Sequence, residues 1–165
     1  AAVQLARRAG AHVIATVSSA AKGQIAADAG AHVVVDYTAD GAVDAIKSAA
    51  RAGVDRIIEV DLTRNLDLDV AVMVPGGIIV TYAADAADPT APVRTLMTRN
   101  ATLRFVLVYG FPPALLAAGI AEVTAALEAG DLMPLPVVRF PLADIAAAHD
   151  AVQSRTPAKV LVDLP

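Results

Sequence analysis

Ser18, Ser19 and Lys22 stand close together in the sequence, two hydroxyls and an ammonium with no acid among them. That set suits a phosphate, whose oxygens accept hydrogen bonds from both kinds of group and whose charge the lysine offsets. The same residues also read as the start of a helix, with serine as its cap and Lys22 as a solvated surface charge. Tyr37 can stack its ring on a base or offer its hydroxyl to a phosphate, and is otherwise an exposed loop aromatic. Asn65 can bond a sugar hydroxyl or cap a helix. Glu59 and Asp61 are the closest pair of acids to a strand end and are not expected to form an acid/base dyad. His12, His32 and His149 are scattered, without the spacing of a metal site, so no metal is expected.

Composition narrows the field. The 165 residues fit one domain with a real core, and 56% are hydrophobic against 18% charged. A mean hydropathy of +0.58 is high, yet the apolar residues come in short Val/Ile/Leu runs, far below the roughly 20 residues of a spanning helix. Buried parallel strands explain the hydropathy, and no membrane partner is expected. A net charge of −4 provides no basic footprint for nucleic acid. With no cysteine, disulfides, thiolate zinc sites and cysteine nucleophiles are excluded from this segment; this is compatible with a reducing cytoplasm, the expected location.

Periodicity supplies the elements that must position these residues. Helical patterns over Ala1–Ala9, Ala20–Ala29 and Asp40–Ala50 alternate with short apolar strands over His12–Val17, His32–Asp36 and Asp55–Val60. Ala9-Gly10-Ala11-His12-Val13 recurs as Ala29-Gly30-Ala31-His32-Val33, a helix stop followed by a strand start. A short helix from Asn65 to Met73, a turn at Pro75-Gly76-Gly77 and a strand from Ile78 to Tyr82 come next. An Asp/Ala/Pro loop over Asp85–Pro92 leads on to a strand from Thr102 to Tyr109 and a helix from Pro113 to Ala129, with Ile120, Val123 and Leu127 on one face. The tail holds strands at Val137–Phe140 and Lys159–Val162 around a helix with Leu142, Ile145, His149 and Val152 on one stripe.

Such alternation requires crossover connections and a mostly parallel sheet, which gives an α/β fold of the doubly wound, Rossmann type. Its ligands bind at the carboxyl ends of the strands, and in dinucleotide-binding members an acid after the second strand holds the ribose hydroxyls of NAD. Here that position reads Ser18, with Lys22 nearby, which favours the 2′-phosphate of NADPH over NADH. The glycine-rich turn that grips the pyrophosphate is not in the sequence, and is expected to precede Ala1 together with the central strand. Residues 1–134 are read as the truncated cofactor domain. Residues 135–165 are read as a strand-helix-strand returning toward another domain. The piece alone is expected to fold poorly and to be inactive.

In order along the chain, Ala1–Ala6, Ala11–Thr16, Ile57-Ile58-Glu59, Pro75-Gly76-Gly77 and Phe140–His149 resemble the medium-chain dehydrogenase/reductase superfamily, and within it the zinc-independent quinone oxidoreductase, or zeta-crystallin, branch. The resemblance implies a GroES-like domain ahead of this segment, which the tail strands would join, and hydride transfer from NADPH to a quinone or enone. It matches Ser18, Lys22 and Tyr37 to positions holding the 2′-phosphate end of the cofactor, and Asn65 to an asparagine near the ribose. Ala83 and Ala84 match a small-residue segment lining the cofactor, although Ala83 replaces a common glycine. Val106, Leu107 and Val108 match backbone positions at the carboxamide. It further implies a homodimer through the strand over residues 102–109, and assigns no general acid. Two alternatives within reach of the same fold are an enoyl-reductase domain of a polyketide synthase and a nucleotide-binding structural protein without catalysis. A methyltransferase-like Rossmann domain would want an acid where Ser18 stands.

Overall fold

The chain alternates helix and strand from its first residues. In the computed structural model, residues 1–83, 90–154 and 156–165 are described. Helix α1 (Ala2–Arg8) precedes β1 (Ile14–Val17), α2 (Ala20–Asp28), β2 (Val33–Asp36), α3 (Ala42–Ala49) and β3 (Val54–Glu59). Then come α4 (Leu62–Val72), β4 (Met73–Thr81), α5 (Val93–Thr98), β5 (Thr102–Phe105) and α6 (Pro113–Glu128). Strands β6 (Val137–Pro141) and β7 (Lys159–Asp163) flank α7 (Ile145–Gln153).

Every strand pair is parallel, as crossover connections demand. β1 lies beside β2, with Val17 opposite Asp36. β3, β4 and β5 form a second ladder in that order, with Glu59 opposite Thr81 and Thr81 opposite Phe105. β6 and β7 pair with each other. This is the Rossmann-type architecture expected from the sequence. The arrangement β2-β1 and β3-β4-β5 corresponds to positions 3-2 and 4-5-6 of the doubly wound order, and β1 and β3 make no ladder with one another.

Two apolar clusters hold these layers together. Leu62, Leu66 and Val70 recur along one face of α4 at helical spacing and pack on Met73 and Ile79 of β4. Ala42 and Ile46 of α3 pack against Val35 of β2 and Val72 of α4, so α3 ties the β1–β2 pair to the larger sheet. Each such side chain, fully buried, stabilises the fold by roughly 1.5–3 kcal/mol.

Several boundaries differ from the sequence reading, for local reasons. α4 starts at Leu62 rather than Asn65 because Asp61 is its cap, its side chain accepting from Arg64 N. β4 starts at Met73 rather than Ile78, since Pro75-Gly76-Gly77 is not a turn between elements but a bulge inside the strand. Val54 pairs with Met73 and Arg56 already with Ile78, and Gly76 takes the left-handed backbone (φ +79°) that such a detour requires. Helix α5, too short to leave a periodic signal, was not anticipated. β5 stops at Phe105, short of Tyr109, because Val108–Gly110 closes a 3-10 turn. The apolar faces of the last two helices are exposed. Ile120, Val123 and Leu127 of α6 are 58%, 38% and 52% accessible, and only Ala126 of that helix is buried. Leu142, in the 3-10 turn before α7, and Ile145, His149 and Val152 on that helix are likewise exposed, with Ala148 buried instead. The Asp/Ala/Pro loop lies mostly outside the described residues.

Candidate functional site

The carboxyl ends of β1 to β5 form one rim, and the residues singled out by sequence follow it in order. At the first corner, Val17 O accepts from Tyr37 N at 3.0 Å, which continues the β1–β2 ladder by one step and fastens Tyr37 beside Ser18. Ser19, not Ser18, caps α2, accepting from Lys22 N at 3.4 Å. Ser18 is thereby free for the lysine: Lys22 Nζ donates to Ser18 Oγ at 3.1 Å, in a half-buried position. The capping interpretation thus holds for Ser19 alone, and Lys22 is not a freely solvated charge. The neighbouring acid is Asp36, which accepts from the amide and hydroxyl of Thr38 at 2.9 and 2.6 Å. Those bonds hold its carboxyl below the usual range.

Asn65 follows the end of β3. It is not a helix cap; its Nδ2 donates to Glu59 Oε1 at 3.1 Å. The same oxygen accepts from the amides of Val60 at 2.7 Å and Asp61 at 2.6 Å, so a buried carboxylate organises the whole β3–α4 turn. Glu59 and Asp61 do not stand side by side as a pair. Residues two apart share a strand face, and what separates these two is that the strand ends at Glu59 and Asp61 caps α4. A second buried acid, Asp69, was missed by the sequence reading. It is buried on α4 with Oδ2 lacking a partner among the described residues. Burial first, then the charge of Glu59 and a hydrogen bond with it, push Asp69 up to about 8. The available signal was an acid on the apolar stripe of Leu62, Leu66 and Val70.

The far end of the rim is apolar. Thr81 Oγ1 donates to Ala83 O at 2.9 Å, and Val106 N donates to Thr81 O at 2.9 Å, so Ala83 and Val106 flank the end of β4. Leu107 and Val108 follow, both exposed. Ala84 lies outside the described residues. The rim therefore offers a cation and hydroxyl at one end, hydrogen-bonding groups in the middle and small or apolar residues at the other. That sequence of surfaces fits a long ligand with a charged end, a sugar and a flat ring.

Features elsewhere do not join it. His12 and His32 stack at a centroid distance of 4.3 Å at the amino ends of the strands, where Val13 N donates to His32 Nδ1 at 2.9 Å. Desolvation first, then the charges of Arg7 and His12, holds His32 below its usual value. A shallow groove of about 510 Å³ lies beside α1, lined by Gln4, Arg7, Arg8, Ala29 and Asp131, and includes no rim residue. Among the described residues no cluster of His, Cys, Asp or Glu is placed to hold a metal, and no helix is long and apolar enough to cross a membrane.

Parallel strands with crossover helices and a ligand rim at their carboxyl ends define a Rossmann-type cofactor-binding domain. The sequence profile described as zinc-binding dehydrogenase matches residues 1–125, and the chain belongs to that family. It falls within the medium-chain dehydrogenase/reductase superfamily, on its quinone oxidoreductase-like side. The quinone oxidoreductase of Sus scrofa is 30% identical over 157 residues, covering 94% of this chain and 47% of that protein. Among solved structures, a 2-haloacrylate reductase superposes with a TM-score of 0.85 at 26% identity, over 99% of this chain and 52% of the other. The Escherichia coli quinone oxidoreductase complexed with NADPH superposes with a TM-score of 0.84 at 22% identity, over 99% and 52%. The chain spans about half the length of the curated relatives it matches.

Proposed function

We propose that the full-length protein is a zinc-independent, NADPH-dependent oxidoreductase that reduces a quinone or an α,β-unsaturated carbonyl. The observation that carries the cofactor choice is the Ser18–Lys22 pair beside Tyr37, a cation and hydroxyls standing where an NAD-specific domain places an acid. Ser18 and Lys22 hold the 2′-phosphate, Tyr37 lies along the adenosine, and Asn65 bonds a ribose hydroxyl. Ala83 and the backbone of Val106, Leu107 and Val108 flank the nicotinamide. When bound, the cofactor supplies the hydride, and this chain contributes orientation and electrostatics. Relatives named quinone oxidoreductase, and similar structures solved with NADPH, support the reading. A 2-haloacrylate reductase among the neighbours keeps activated alkenes beside quinones as substrates. The protein acts as a homodimer joined through residues 102–109.

The test compares NADPH and NADH affinity in the full-length protein and in Lys22→Ala. Losing a charged hydrogen bond to phosphate weakens NADPH binding roughly tenfold or more while leaving NADH unchanged. Equal losses for both nucleotides would remove the phosphate assignment. NADPH binding without turnover across small quinones and enones would reject the enzyme.

A further inference from the structure

We propose that Asp36 and Thr38 are positioning residues that hold Tyr37 in one backbone setting beside Ser18, so that the adenosine of the nucleotide meets a tyrosine already in place; the inference rests on the cofactor reading above. Tyr37 is the first residue past β2. It is half-buried, while Asp36, Thr38, Ala39, Asp40 and Gly41 around it are all exposed. The turn as a whole is solvated, and this one residue of it is drawn in.

The hydrogen bonds around Tyr37 account for that. A residue has two soft backbone torsions, one on each side of its Cα, and both are fixed once the flanking peptide planes are held. The plane before Tyr37 is held at both of its ends: Tyr37 N donates to Val17 O at 3.0 Å, and Asp36 O accepts from Ala39 N at 3.3 Å. The plane after it is held by the Asp36 carboxylate, whose Oδ1 accepts from Thr38 N at 2.9 Å. The same oxygen accepts from Thr38 Oγ1 at 2.6 Å, the short length of a charge-assisted bond. The threonine hydroxyl thus steadies the carboxylate that steadies the peptide, and the direction of the Tyr37 Cα–Cβ bond follows. Without the Asp36 oxygen only the plane before Tyr37 stays held, and the ligand has to order the rest of the turn when it binds. Both residues act through Tyr37.

The experiment measures NADPH and NADH affinity of the full-length protein in Asp36→Ala, Asp36→Asn and Thr38→Val, each alone and combined with Tyr37→Ala. Asp36→Ala is expected to weaken both nucleotides alike, roughly fivefold, and Thr38→Val to do so by less, because the adenosine is common to the two. Asp36→Asn keeps an oxygen acceptor for both Thr38 donors and should bind as wild type does. With Tyr37→Ala in place the further loss from Asp36→Ala or Thr38→Val should vanish, a non-additivity that a merely structural role does not produce. If Asp36→Ala fails to fold, Thr38→Val, which removes one exposed hydroxyl, carries the same comparison. Wild-type affinity in these two variants overturns the inference. So does a loss that persists undiminished without Tyr37, or one confined to NADPH, which would place the effect of the carboxylate on the phosphate corner instead. All three results leave the nucleotide reading standing. Failure of the wild type to bind either nucleotide overturns that reading itself, and this inference with it.

Discussion

At the scale of single residues, chemistry at the rim depends on which hydrogen bonds are already spent. Ser19 is consumed in capping and Ser18 is not, although nothing in the two side chains distinguishes them; only the point at which α2 begins does. Asn65 similarly changes role once Asp61 is seen to cap α4. Asp69 carries a consequence for stability. Its folded value of about 8 lies above the ordinary 3.8, so the folded state binds the extra proton. The stability this brings is fully present below about pH 4 and is lost as pH rises through about 8. Asp69→Asn removes that dependence. Denaturant unfolding should therefore find the variant and wild type similar near pH 4, and the variant more stable by on the order of 2–4 kcal/mol near pH 9. A wild-type stability that rises across this interval would contradict the assignment.

At the scale of elements, the order and direction of the strands were legible in the sequence because buried parallel strands leave short Val/Ile/Leu runs between helical stripes. Val13–Val17, Val33–Asp36 and Ile57-Ile58 declared themselves in this way, and so did the corner formed by Ser18, Lys22 and Tyr37. Less visible was anything that depends on a partner remote in sequence. Glu59 and Asp69 are ten positions apart and both become buried only once α4 folds back on β3, and the β4 bulge is defined by register with β3 rather than by its own residues. Periodicity says which residues of α6 and α7 are apolar, not what covers them. The crossover from α3 into β3 exposes a further constraint. Gly53 has φ +98°, and a Cβ there would stand 2.9 Å from Val72 O and 3.0 Å from Val74 Cγ1. Backbone strain and crowding coincide, so Gly53→Ala should destabilise by roughly 1–3 kcal/mol or more, read as a lowered unfolding midpoint. An unchanged midpoint would show that the β3–β4 junction relaxes freely.

At the scale of the whole molecule, apolar surface is concentrated on one stretch of chain. Phe105, Leu107 and Tyr109 are 70%, 68% and 92% exposed, and the long helix that follows adds Leu115 and Ile120 at 60% and 58%. Contiguous exposure of this kind marks a surface meant to be covered. Residues 1–165 as an isolated polypeptide should bind a hydrophobic dye strongly and self-associate, whereas the full-length protein should bind little dye and sediment as a dimer. Arg substitutions at Phe105 and Leu107 are expected to convert that dimer to monomer, and a dimer that survives both would place the interface elsewhere. The detour at Pro75-Gly76-Gly77 has a consequence of another kind. Because β4 pairs in one register before it and in another after it, the additional residues are taken up inside the strand, where Gly76 N donates to Arg99 O at 2.7 Å. The loops facing the ligand therefore take their alignment from the pairing that resumes at Ile78, not from where the strand begins.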